Sequence, residues 1–124
     1  MKITDLKPTI VWKFFHQVTQ VPRPSKKEGK MIEFLESFAK EYKIAIKKDE
    51  AGNLLMSKPA TPGMEDRPVV VLQSHMDMVC EKNNGTKHDF DNDPIETIVD
   101  GEWLRANGTT LGCLLYTSDA ADEL

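Results

Sequence analysis

The residues best suited to chemistry stand close together: His75, Asp77 and Cys80 share the stretch Ser74-His75-Met76-Asp77-Met78-Val79-Cys80. In an extended segment residues i and i+2 project to the same side, so His75 and Asp77 would point together. An imidazole gives one bond to a zinc ion, and a carboxylate two residues on can fix its tautomer and orientation. The same two residues also read as a hydrogen-bonded loop pair, because His-x-Asp recurs by chance. Cys80 with His75 would make a nucleophile and a base, the pattern of a cysteine hydrolase. Only Lys82 lies near enough in sequence to lower the thiol pKa, and no helix N-terminus is evident, so an inert buried cysteine is the expectation.

Other candidates are weaker. Asp89-Phe90-Asp91-Asn92-Asp93 begins like a calcium loop, but Pro94 stands where glycine is needed and Asp100 where glutamate is needed. His88 sits in a polar loop and reads as solvated, and His16 falls within a helical pattern. Trp12 and Trp103 lack the basic, aromatic-rich surroundings of a nucleic-acid stacking platform.

Several elements must position these residues. Ile10, Val11, Phe14, Phe15 and Val18 predict an amphipathic helix over 9–20. Val21-Pro22-Arg23-Pro24 stops it, since proline lacks an N–H and restrains the residue before it. Ser25, with Glu28 three positions on, predicts a capping box opening a second helix, whose apolar face carries Met31, Ile32, Leu35, Phe38, Ala39 and Tyr42. Ile44 to Lys47 and Leu54 to Met56 predict a hairpin about the Glu50–Asn53 turn. Val69-Val70-Val71-Leu72 suits a strand buried on both faces, and this places His75 and Asp77 just past its carboxyl end, where sites in open α/β sheets gather. Glu96–Val99 and Glu102–Arg105 flank Asp100-Gly101 as a second hairpin. Helices over a sheet with a buried central strand predict an α/β class, layered domain.

Bulk properties narrow the partners. At 124 residues, 40% hydrophobic and 29% charged, the chain has room for one domain or part of one. The net charge is −4, and Asp119, Asp122 and Glu123 carry most of it, so neither a nucleic-acid partner nor an anionic membrane surface is expected. Two cysteines, Cys80 and Cys113, make no disulfide framework. The N-terminus has no signal-peptide pattern and no apolar run reaches about 18 residues, which predicts a cytoplasmic protein.

In order along the chain, Ser74 to Lys82, Lys87-His88-Asp89-Phe90-Asp91, Asp93-Pro94-Ile95-Glu96, Asp100 to Ala106 and Gly108-Thr109-Thr110-Leu111-Gly112 resemble the aminoacyl-histidine dipeptidases, also called cytosol non-specific dipeptidases. The resemblance covers about residues 5–112. It implies an α/β catalytic domain and two zinc ions per complete site. It also implies a dipeptide substrate and room for a homodimer in the full-length enzyme. His75 would be a zinc ligand and Asp77 the carboxylate that positions it. The family pattern continues past Gly-Thr-Thr-Leu-Gly with Ala-Asp, whose aspartate bridges the metals, whereas here Cys113 and Leu114 follow Gly112. The general-base glutamate and remaining ligands would lie further on. Residues 113–124 themselves resemble the in-frame translation of a transposon-end sequencing adapter. The expectation is therefore residues 1–112 as part of a zinc-peptidase catalytic domain, followed by an artefactual tail. Such a chain would be inactive by itself; the alternative is a non-catalytic folded fragment or interaction module.

Overall fold

A computed structural model describes residues 2–112, in which the element order is a short 3-10 turn, α1 (Thr9–Thr19), α2 (Gly29–Glu41), β1 (Ala45–Lys48), β2 (Leu54–Ser57), β3 (Thr97–Asp100) and β4 (Trp103–Ala106). The segment 113–124, with Cys113 and the expected tail, lies outside the described residues. Helices and strands together make this a partial α/β domain. By contacts the chain divides into two compact units. One holds the residues up to Met31 and those from Met76 on; the other is Ile32–His75.

In the first unit α1 forms as its apolar spacing predicts. The chain leaves α1 at Thr19, which is fully buried yet satisfied: its hydroxyl donates to the His16 carbonyl at 2.7 Å, and its own carbonyl accepts the Ile95 N–H at 2.9 Å. Among the described residues of this unit, Ile3, Met31, Met78 and Ile95 are the buried apolar side chains. β3 and β4 pair antiparallel, with Asp100 opposite Trp103. The two-residue loop is therefore Gly101-Glu102, one position beyond the expected turn, and Gly101 supplies the positive φ of +60° that its first position takes.

The second unit holds most of α2 and the first hairpin. Ala39 is fully buried, Phe38 and Tyr42 stack one turn apart with centroids 4.5 Å apart, and Ile44 N–H closes back on the Ala39 carbonyl at 2.8 Å. β1 and β2 pair antiparallel in the register Ala45↔Ser57 to Lys48↔Leu54. Their turn is locked by Asp49, whose two carboxylate oxygens accept the backbone and side-chain N–H groups of Asn53 at 2.8 and 2.9 Å. These bonds, the side-chain one first, hold the Asp49 carboxyl below its ordinary pKa.

Two expectations are corrected. Val69–Leu72 is not a buried strand: the four side chains are 79–92% exposed, and none of residues 68–74 makes a backbone hydrogen bond among the described residues. A strand exists only where neighbours take its N–H and C=O groups, and the described strands pair solely within their own hairpins. The capping box also differs. α2 begins at Gly29, and Glu28 reaches back to the Lys26 N–H at 2.6 Å, not to Ser25, whose hydroxyl is turned to a distant partner.

Candidate active site

The stretch from Met76 to Cys80 is fixed by two neighbouring chain segments in the first unit. On one side runs Arg23-Pro24-Ser25. Met78 N–H donates to the Arg23 carbonyl at 2.9 Å, and Pro24 and Met78 form a parallel bridge. Pro24 has no N–H to offer, so the pairing leans on its neighbours' carbonyl and hydroxyl groups. On the other side runs Gly108-Thr109-Thr110. Lys82 and Thr109 form an antiparallel bridge, Asn83 N–H donates to the Gly108 carbonyl at 2.8 Å, and Thr110 N–H donates to the Glu81 carbonyl at 2.9 Å. The Thr110 hydroxyl adds a 2.6 Å bond to the Val79 carbonyl. Within this unit, residues 79–83 and 108–110 are thus side by side in space.

Asp77 is held by Ser25, whose Oγ donates to Oδ2 at 2.6 Å. The same oxygen lies 3.5 Å from the Met78 carbonyl. A hydroxyl has one proton, and the short bond to the carboxylate is the stronger use of it. Arg23 braces the segment from behind. Its Nη1 donates to the Val18 carbonyl at 2.8 Å and its Nη2 lies 4.0 Å from the Met78 sulfur. Burial pulls the guanidinium pKa down from its ordinary value, with Cys80 opposing. Sequence reasoning read Ser25 as a helix cap and Arg23 only as part of a helix stop. The flanking prolines, which free a segment from helical bonding, are the signal that could have marked it as a docking strip.

Cys80 is half-buried, and its thiol is 3.5 Å from the Met78 carbonyl. Burial pushes its pKa up and Asp91 adds to the rise, while Lys27 and Arg23 work against it without prevailing. A thiol held protonated at neutral pH is a poor nucleophile, which removes support from the cysteine hydrolase. Asp89 to Asp93 forms a self-contained turn. The Asp89 carboxylate accepts the Asn92 side-chain amide at 2.8 Å and the Asp91 N–H at 3.0 Å, and the Asp93 carboxylate accepts the Asp89 N–H at 2.8 Å. Its Asp91 pairs with Lys27 at 2.6 Å. The oxygens that a calcium loop would aim at an ion are spent on the turn and, for Asp91, on Lys27. His88 is half-buried against Phe90, 4.5 Å between centroids, rather than solvated.

His75 is exposed and is the last residue of the second unit, whereas Asp77 belongs to the first. Among the described residues no group of three or more His, Cys, Asp or Glu side chains gathers to hold a metal ion. One imidazole and one carboxylate fall short of the three protein ligands that a catalytic zinc ordinarily has. The described residues do not by themselves fit the ion.

Comparison with known proteins bears on this segment. The chain is 47% identical over 111 residues to the cytosol non-specific dipeptidase of Escherichia coli (strain K12). The likeness is to a dipeptidase. A crystal structure of aminoacylhistidine dipeptidase from Vibrio alginolyticus superposes with a TM-score of 0.86 at 46% identity. Both matches cover 90% of this chain and 23% of the dipeptidase. The chain thus spans just under a quarter of the length of the dipeptidases it matches. No family model matches it. Among the described residues no helix is long and apolar enough to cross a membrane.

Proposed function

We propose that this chain is a portion of a dipeptidase, one that supplies the strip around Asp77 but does not hydrolyse peptides alone. The observation that supports this most directly is 47% identity to a dipeptidase of which the chain covers only 23%. His75 is the side chain we assign to a zinc ion, and Asp77 the carboxylate that orients it, as part of a site whose other donors this chain does not carry. Ser25 holds Asp77 by one oxygen, so the carboxylate is already oriented before any substrate or ion arrives. Residues 1–112 are then part of a catalytic domain. Residues 113–124, with Cys113-Leu114 where the resemblance expects Ala-Asp, lie outside it. The substrate of the complete enzyme is a dipeptide, Xaa-His among others. Its compartment is the cytoplasm, in keeping with the relative's name.

The experiment is hydrolysis of β-alanyl-histidine and Gly-His by the purified chain with zinc added, followed as release of free histidine. The expected rate is that of the protein-free blank. In parallel, a zinc titration of the chain and of its His75→Ala variant should give the same weak binding, because one imidazole does not make a site. Turnover well above the blank, abolished in His75→Ala, would overturn the assignment of this chain as a non-hydrolysing portion.

A further inference from the structure

The tripeptide Asn-Gly-Thr occurs twice, at Asn84-Gly85-Thr86 and at Asn107-Gly108-Thr109. Both copies lie in the first unit, and both asparagines are exposed. Asparagine before glycine is chemically labile, because no side chain shields the glycine nitrogen from the asparagine Cγ. Local sequence therefore gives the two sites closely similar intrinsic reactivity, and a difference between them comes from the fold.

The fold holds them differently. The Asn84–Gly85 peptide is the central peptide of a turn closed by the Thr86 N–H on the Asn83 carbonyl at 3.0 Å, with Gly85 at φ +86°. A turn of this kind differs from the common type I by a flip of that central peptide, a rotation that ring closure needs. Among the described residues neither the Gly85 N–H nor the Asn84 side chain makes a hydrogen bond. Asn107 is tied on three sides. Its N–H donates to the Glu96 carbonyl at 2.9 Å, its Nδ2 donates to the Glu96 carboxylate at 3.0 Å, and the Gly108 N–H donates to the Ala106 carbonyl at 3.2 Å. The side chain is drawn onto Glu96, and the nitrogen that would attack it is occupied.

We propose that Asn84 is a site of spontaneous modification to aspartate and isoaspartate, and that the fold protects Asn107 from the same reaction. The Gly85 nitrogen gives up its proton and bonds to the Asn84 Cγ. The Cγ–Nδ2 bond breaks, and the side-chain nitrogen leaves with a proton as ammonia. Water then opens the cyclic imide at either of its carbonyls. One water is consumed and one ammonia released, with nothing oxidised or reduced. The product carries a carboxylate in place of the amide, and isoaspartate also lengthens the main chain by a methylene. That turn abuts Gly108: the Asn83 N–H donates to the Gly108 carbonyl at 2.8 Å, and a Cβ built on Gly108 would stand 2.6 Å from the Thr86 hydroxyl oxygen. Isoaspartate at position 84 thus loosens the pairing of residues 79–83 with 108–110.

Trypsin separates the two sites, since Lys82, Lys87 and Arg105 put Asn84 on residues 83–87 and Asn107 on residues 106–124. The purified chain is held in warm, mildly alkaline buffer, digested at intervals, and both peptides are followed by mass spectrometry. Fragment ions distinguish Asn84 from Asn83, and a methyltransferase specific for isoaspartate counts that product. Asn84 should convert at least about tenfold faster than Asn107, where ring closure must first break hydrogen bonds. In guanidinium chloride the two rates should converge. Glu96→Ala should speed conversion of Asn107 and leave Asn84 unchanged. Equal rates in the folded chain, or a faster Asn107, would overturn the proposal. So would a difference that survives denaturation, because it would belong to the sequence and not to the fold.

Discussion

Ser25 donates a 2.6 Å hydrogen bond to Asp77, fifty-two positions further along the chain. The bond sits beside the Pro24–Met78 bridge and turns a proline-rich strip into the support for a carboxylate. Ser25→Ala should cost about 1 kcal/mol, less than the roughly 1.5–3 kcal/mol of hydrogen bonds to a charged group, because this one is exposed. Asp77→Asn should cost less, since the amide oxygen still accepts. Urea denaturation of the three proteins, at fixed concentration, reads both differences. Equal stability of Ser25→Ala and the parent would show that the bond fixes nothing.

Gly108 is a sharper position. Its φ is +75°, and a Cβ built there would stand 2.6 Å from the Thr86 hydroxyl oxygen. Gly108→Ala therefore meets both backbone strain and a contact that forces Thr86 to move. We expect a loss of about 1–3 kcal/mol. Gly108→Ala with Thr86→Ala should recover the part due to contact and keep the part due to φ. Full recovery in the double variant would leave no role for the backbone conformation.

The turn at Asp89 predicts a pH dependence. Its carboxyl lies below the ordinary value of 3.8, first because the Asn92 amide bonds to it and next because the Asp91 N–H does. A carboxyl depressed in the folded state binds fewer protons there than in the unfolded chain, so stability rises with pH across that window. The contribution is complete above 3.8 and is lost as pH falls through the folded value. Thermal melts between neutral and strongly acid pH should show Asp89→Asn with a shallower acid loss than the parent. Parallel curves would show that this carboxylate does not drive acid sensitivity.

Much of the local structure was legible because its causes are local. The apolar spacing from Ile10 to Val18 predicts α1, which ends at Thr19, and Asp100-Gly101 marks a hairpin whose loop falls one residue later. What sequence did not disclose is non-local. Val69–Leu72 has the composition of a central strand, but a strand is a relation between neighbours, and none pairs with it among the described residues. Ser25 has the type and spacing of a helix cap, yet α2 starts only at Gly29 and the Ser25 hydroxyl donates to a carboxylate 52 residues away. The His75-Met76-Asp77 spacing showed where to look; the partner that holds Asp77 had no signal except proline on either side of Arg23.

The span of the Ser25–Asp77 bond sets how the chain tolerates change in length. Closing a flexible loop costs free energy only as the logarithm of its size. For a closure of 52 residues, ten extra residues in the loop around Thr61-Pro62-Gly63 would add about 0.2 kcal/mol. The strip that carries Asp77 is thus nearly indifferent to insertions in the intervening sequence. Evolution or an engineer could remodel that excursion freely and leave the carboxylate in place.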